Sequence, residues 1–348
     1  MDISARITGI KYSPLLCRKL QPFNLEDLDK ALSNNATFIL NINKENKIAV
    51  SWWVSAKRTR SYPYARVYDS LGFTGKKITI IPIMKDEGKE GDRDFLQWDT
   101  VSLMSLLGIY VIVSYYKNAE RSIRYANKIT NQRFDIEYTK GEIKKLLSYQ
   151  SDALHWNLAQ IDKVGELGQR ALAAYSGISR KLDVDMHSKI SAEGRIAKLL
   201  KSKGEFMKLS RELAEKAQKR ERLTTQPKEK LSGKKAIITI RNYLGGYYYF
   251  TCDEAEIIER DICLVEGKYS KTNSLPSSVD IKDGLLKMIL FTNLTKVSVE
   301  NKIYNPIPIL KLTIEKGFTE KNISMSQKEL LRRLREESKL NSFRIYIE

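Results

Sequence analysis

From Cys252 to Ser270 the chain reads CDEAEIIERDICLVEGKYS, and its chemistry lies in where the acids and the lysine fall. Ile262 to Val265 is an apolar run with the character of a buried strand, and it ends in Glu266-Gly267-Lys268. Residues i and i+2 of a strand point to one face, so Glu266 and Lys268 are expected side by side. Upstream, Ala255 to Ile258 suits the other arm of a hairpin with Glu259-Arg260-Asp261 near its turn. That brings a further acid beside Glu266, either Asp253 at the strand's entry or Glu256 within it. Two such carboxylates form an oxygen-rich site for a hard cation such as Mg²⁺. A lysine next to them can orient or deprotonate a water and stabilise charge on a phosphate, which suits metal-assisted phosphodiester hydrolysis. The plain alternative is a salt bridge at a strand end.

The elements around this set are legible as patterns. Ala236 to Arg241 and Gly246 to Thr251 read as strands, and Val279 to Phe291 (VDIKDGLLKMILF) as a helix following the motif strand. Ser326 to Leu340 is a basic amphipathic helix, with a strand expected at Phe343 to Ile347. In the N-terminal half, Phe38 to Ile42 and Ile48 to Val54 suggest a hairpin joined by the polar turn Asn43 to Lys47. Lys77 to Met84 and Ile109 to Tyr116 read as buried strands. Asp94 to Leu107 between them suits a helix, and this order implies a right-handed crossover with a parallel strand pair. From about residue 141 to 222 the chain is rich in charge. Leu147, Leu154 and Ile161 repeat every seven residues, as do Leu199, Phe206 and Leu213, which suits helical hairpins or a short coiled-coil arm.

A second candidate site lies in the N-terminal half, where Lys85-Asp86-Glu87-Gly88 and Gly91-Asp92-Arg93-Asp94 lead from a strand to the helix. The residue two before Lys85 is Ile83, so no acid-x-Lys pair is present there, and Asp92 or Asp94 is expected to cap the helix. A divergent site drawing on Lys85, Asp94, Asp99 or Asp69 is the rival location. For binding, Lys57, Arg58, Arg60 and Arg66 alternate with Tyr62 and Tyr64, a composition that holds phosphates and stacks on bases.

Composition narrows the classes. The chain has 348 residues with 60 Lys and Arg against 42 Asp and Glu, a formal charge of +18 spread along its length, which favours a polyanionic partner, nucleic acid first. Cys17, Cys252 and Cys263 form no CxxC pair and the histidines, His155 and His187, stand apart, which argues against a zinc cluster. Histidine-based nuclease sites are excluded on the same ground. Gly108-Ile109-Tyr110 has no following Tyr-Ile-Gly, and no GxxxxGK[ST] phosphate loop is present. The N-terminus lacks the pattern of a signal peptide and no apolar stretch reaches membrane-spanning length, so a cytoplasmic, reduced protein with no membrane partner is expected.

The segment from about Gly233 to Leu294 resembles the core of the PD-(D/E)xK nuclease superfamily, which places an acid on one strand and an acid-x-Lys motif on the next. By that resemblance Asp253 matches the first acid, Glu266 the second and Lys268 the lysine, with Asp253 and Glu266 holding Mg²⁺. Cys252 stands where the family often carries proline, so Glu254 and Glu256 remain alternatives for the first acid. The whole is similar to a type II restriction endonuclease, which implies a homodimer cutting double-stranded DNA at a specific sequence. A structure-selective repair, recombination or defence nuclease and a non-catalytic DNA-binding protein are the alternatives. The expected fold is α/β (α+β): an N-terminal mixed-sheet, DNA-recognition domain over 1–140, charged helices over 141–223, a linker at 224–234 and a nuclease domain over 235–348.

Overall fold

The computed structural model describes residues 1–56, 62–200, 234–242, 247–315 and 318–348. The protein is α/β and divides into two compact units. One holds the described residues of Lys19–Glu212, and the other joins Met1–Arg18 to the described residues from Lys234 onward. The helices expected as a separate region after residue 140 thus share a unit with the N-terminal sheet, while residues 1–18, expected in the N-terminal domain, belong to the C-terminal unit. The reason is the first strand, β1 (Asp2–Ile7), whose alternating Ile3, Ala5 and Ile7 are buried in the C-terminal sheet.

The unit of Lys19–Glu212 is built on a five-stranded sheet in the order β2-β3-β4-β5-β8: β2 (Pro22–Asn24), β3 (Thr37–Asn41), β4 (Lys47–Trp52), β5 (Lys77–Pro82) and β8 (Ile109–Ser114). Strands β3 and β4 form the expected hairpin, its turn fixed by Asn43, whose Oδ1 accepts from the amides of Glu45 and Asn46. Strand β5 runs parallel to both β4 and β8, with Val50 opposite Ile78 and Ile80 opposite Ile112, all four fully buried. The crossover from β5 to β8 begins with a short hairpin, β6 (Met84–Asp86) and β7 (Arg93–Phe95), and continues through a helix, α3 (Trp98–Leu106). Asp94 thus lies on a strand and caps nothing; the N-cap of α3 is Gln97, which makes no side-chain capping bond.

Strand β8 is an edge, and an open edge invites unwanted pairing. Here the helix α5 (Ala153–Asp162) seals it with side chains. Asn157 Oδ1 accepts from the Val111 amide at 2.7 Å, Trp156 Nε1 donates to the Val111 carbonyl at 2.8 Å, and Gln160 Oε1 takes the Val113 amide at 3.3 Å. This use of α5 overturns the heptad reading. Leu147 ends the preceding helix, α4 (Ile136–Leu147), and Asp152 caps α5, so Leu147, Leu154 and Ile161 do not share one helix. Phe206 and Leu213 of the second seven-residue series and most of the 224–234 linker lie outside the described residues.

The second unit is an eight-stranded sheet among the described residues, in the order β15-β14-β1-β11-β12-β13-β16-β17. Strands β11 (Lys234–Asn242), β12 (Tyr247–Ile258) and β13 (Asp261–Ser270) form an antiparallel meander. The chain leaves β13 through the helix α8 (Ser278–Phe291), makes the small β14 (Thr295–Val299) and β15 (Lys302–Ile303), and returns as β16 (Asn305–Ile314), parallel to β13. After the helix α9 (Met325–Leu340), β17 (Arg344–Ile347) adds a further parallel edge. Ser277 caps α8 by accepting from the Asp280 amide, and the helix buries Ile281, Leu285, Leu286, Met288, Ile289 and Leu290, so it lies inside the unit. The segment after β1 is tied down by buried Glu337 of α9, which accepts from the Tyr12 hydroxyl at 2.6 Å and the amides of Leu15 and Leu16. Among the described residues no helix is long and apolar enough to cross a membrane.

Candidate active site

The β12–β13 hairpin closes through the two-residue turn Glu259-Arg260, with Glu259 in the left-handed region at φ 55°. Its register pairs Glu254 with Val265, which sets Asp253 across from Glu266. Alternation then assigns the acids. Asp253, Glu266 and Lys268 share the face covered by α8, while Glu254 and Glu256 point to the opposite face. There Glu254 lies 3.5 Å from Lys311 and lines a separate cleft together with Glu256. The choice left open by the sequence therefore closes on Asp253, and the alternatives Glu254 and Glu256 fall away by the period of the strand.

Glu266 is buried and held at both oxygens. Lys268 Nζ lies 3.0 Å from its Oε1, and Lys287 Nζ lies 2.5 Å from its Oε2 while also donating to the Thr251 carbonyl. Lys268 is gripped from the far side by Asp283 Oδ2 at 2.9 Å. Asp253 Oδ2 accepts the Gly267 amide at 2.8 Å, so the backbone inside the Glu-Gly-Lys motif orients the partner acid. Burial, and then the negative charge of Glu266, push the Asp253 carboxyl up from 3.8 to about 7. Burial works against the charged form of Lys268, but the carboxylates of Glu266 and Asp283 outweigh it and hold the ammonium above its ordinary range. Lys268 is therefore a cation at neutral pH, fit to donate and to orient but not to take a proton. That narrows the role the sequence assigned to it.

Asp283 and Lys287 were not singled out by the motif. Their signal is an acid and a lysine four residues apart on one face, with Lys287 the one charge in the run Leu285 to Phe291. Helix α8 can approach closely because Gly284 has no Cβ; one there would stand 2.8 Å from Leu310 Cδ1 and 3.0 Å from Lys268 Cε.

The donor set fits Mg²⁺ in part. A carboxyl that keeps its proton to about pH 7 because it is buried and lies beside a second carboxylate is a place where a cation can substitute for that proton. Among the described residues no group of three or more His, Cys, Asp and Glu side chains is placed to hold a metal. Two carboxylates suffice for an ion that keeps its remaining positions for water and phosphate oxygens, as Mg²⁺ does.

Of the rival residues, two are cross-strand partners. Lys85 and Asp94 face each other across β6 and β7, and Lys85 Nζ lies 2.7 Å from Glu87 Oε1, an acid two residues after the lysine instead of two before it. Lys128 approaches Glu87 at 3.5 Å, and Ser55 Oγ donates to Asp94 Oδ2 at 2.5 Å. Asp69 is buried on the helix α2 (Pro63–Ser70), and Asp99 lies in the first turn of α3 with its side chain outside the described part. Of the basic binding residues, Lys57, Arg58 and Arg60 lie outside the described residues. Arg66 is half-buried, its guanidinium 4.4 Å from the Trp52 ring centroid and donating to the Trp52 carbonyl, so it is committed to packing within its own unit.

Comparison of the chain with protein-family models, with curated proteins and with solved structures gave no match. What the fold and site define is an α/β protein whose C-terminal unit gathers three carboxylates and two ammoniums on one sheet face.

Proposed function

We propose that the chain is a Mg²⁺-dependent deoxyribonuclease that hydrolyses phosphodiester bonds of double-stranded DNA in the manner of a type II restriction endonuclease. One observation carries the reading: Asp253 and Glu266 stand opposite each other on β12 and β13, with Lys268 on the same face bound to Glu266. In this reading Asp253 and Glu266 hold the ion, which when bound supplies Lewis-acid neutralisation of the scissile phosphate. The Lys268 ammonium, aimed by Glu266 and Asp283, orients the attacking water and stabilises the charge that grows on the phosphoryl oxygens. Lys287 fixes the Glu266 carboxylate from the other side. The positive charge of the chain supports a polyanionic substrate. The resemblance to restriction enzymes adds a homodimer, with one site for each strand, acting in the cytoplasm.

Closure of both Glu266 oxygens by lysines favours a second reading, in which the five charges form a structural ion cluster in a non-catalytic DNA-binding protein. Incubation of plasmid with the protein and MgCl₂, with and without EDTA, beside Glu266→Ala and Lys268→Ala separates them. Discrete fragments that vanish with EDTA and fall by at least about a hundredfold in either variant support site-specific cleavage. Smears or junction-specific cuts point to a structure-selective nuclease on the same site. Cutting by both variants at the wild-type rate would show that the C-terminal site is not the active centre. Binding without any cutting would favour the structural cluster.

A further inference from the structure

In the unit of Lys19–Glu212 a cavity of about 400 Å³ opens beside β6 and the helices α6 (Val164–Leu182) and α7 (Lys189–Leu200). At its wall stands His187, whose Nδ1 lies 2.7 Å from Asp86 Oδ1. That oxygen already accepts the Gly88 amide at 2.9 Å, so it acts as an acceptor toward the ring, and Nδ1 donates. With Nδ1 committed to Asp86, Nε2 is the ring nitrogen left to face a ligand, and with both ring nitrogens protonated its N–H donates to a phosphate oxygen. Asp86 is itself locked in place. Its amide donates to the Tyr175 hydroxyl at 3.0 Å, Tyr175 donates to Gln132 Oε1, and Gln132 Nε2 returns a bond to the Asp86 carbonyl.

Two kinds of surface meet in this cavity. Met84, Leu172, Tyr175 and Met186 provide an apolar wall, and thioethers beside an aromatic ring suit a flat heterocycle. Arg180 and Lys189, both exposed, bring positive charge to the same cavity, which His187 also lines. The volume lies in the range that holds small ligands. We propose that this cavity binds a nucleoside monophosphate unit, its base against Met84, Leu172 and Met186 and its phosphate between His187, Arg180 and Lys189. The unit comes either from a free nucleotide or from the phosphorylated end of a DNA strand. The cavity contains none of Asp253, Glu266 and Lys268, so its occupancy is decided independently of cleavage at the other unit.

With only two histidines in the chain, imidazole NMR reads the site directly, and His155→Gln assigns the signals. Titration of the full chain with dAMP is expected to shift the His187 resonances saturably with a Kd below about 1 mM, and deoxyadenosine or inorganic phosphate to bind at least about tenfold more weakly. Arg180→Ala and Lys189→Ala together are expected to weaken dAMP at least about tenfold, and Asp86→Asn to do so with altered His187 shifts. Displacement of dAMP by a 5′-phosphorylated oligonucleotide, and not by its unphosphorylated form, would assign the pocket to strand ends; no displacement assigns it to free nucleotides. Absence of a His187 shift at about 10 mM dAMP, equal binding of phosphate or deoxyadenosine, or unchanged affinity in the Arg180, Lys189 double variant would overturn the assignment.

Discussion

Replacing Asp253 by asparagine should make the C-terminal unit more stable at neutral and alkaline pH, at the expense of the site. Burial and the adjacent Glu266 keep the Asp253 carboxyl protonated in the folded chain up to about pH 7, against 3.8 for the ordinary group. Between those values the native state holds a proton that the unfolded state has released, so native stability is full below about pH 4 and declines as pH rises to 7, then stays level. At about 1.4 kcal/mol per tenfold change in proton affinity the unscreened loss is a little over about 4 kcal/mol. The carboxyl keeps an edge toward solvent, which screens it, and about 2 to 4 kcal/mol is the expected range. The carboxamide introduced by Asp253→Asn does not titrate, still offers an oxygen to the Gly267 amide, and can donate to Glu266. In EDTA the difference in unfolding free energy between variant and wild type should therefore grow by about 2 to 4 kcal/mol from pH 4 to pH 8, while titrating groups remote from Asp253 cancel. The assay must watch the right unit. All four tryptophans, Trp52, Trp53, Trp98 and Trp156, lie in the unit of Lys19–Glu212, so intrinsic fluorescence misses the site. Native-state hydrogen exchange of β13 amides reads it. Added Mg²⁺ at pH 8 should protect the wild type and not the variant. Parallel pH profiles for the two proteins, or a wild type that gains on the variant as pH rises, would refute the reasoning.

Three further outcomes follow from the packing. Gly284→Ala puts a methyl 2.8 Å from Leu310 Cδ1 and 3.0 Å from Lys268 Cε; it should cost about 1 to 3 kcal/mol and lower kcat on DNA with little change in KM, checked by steady-state cleavage. Lys287→Met leaves Glu266 buried with one cation instead of two and strips the bond to the Thr251 carbonyl, so β13 amide exchange should report a loss of about 3 kcal/mol. Asn157→Leu removes the acceptor for the Val111 amide on an edge strand, and urea unfolding followed by the tryptophan fluorescence of this unit should show a loss of about 2 to 3 kcal/mol together with a greater tendency to self-associate.

Local pattern was readable in this chain to the extent that partners were close in sequence. The β3–β4 hairpin, the parallel β5–β8 pair and the helix after the motif strand each depend on neighbours within about thirty residues, and each lies where periodicity places it. Strand β1 is different. Its Ile3, Ala5 and Ile7 advertise a strand, but its partner is β11, with Ile3 opposite Ile238, and no local signal encodes a pairing across that separation. The seven-residue repeat misled for a related reason: residues spaced like a seam fell on two helices once Asp152 capped the second, and the polar Asn157 and Gln160 were the residues that faced the sheet.

For the site, period two did most of the work. Once Glu254 pairs with Val265, the face of every neighbouring acid follows, and Asp253 is chosen over Glu254 and Glu256 by parity alone. What parity cannot supply is charge contributed from another element. Asp283 and Lys287 reach the site because α8 crosses directly over β13, an approach that depends on Gly284. Their presence changes the chemistry assigned to Lys268. A lysine beside one carboxylate could be imagined losing its proton to water, whereas a lysine clamped between Glu266 and Asp283 keeps it. The base in any hydrolysis here must then be sought outside Lys268, and Asp253, whose metal-free carboxyl titrates near pH 7, has to release its proton before it can hold the ion. A pH–rate profile rising through about 7 in wild type, and unaltered in its midpoint by Lys268→Arg, would agree with that assignment; a midpoint that moved with Lys268→Arg would return the proton to the lysine.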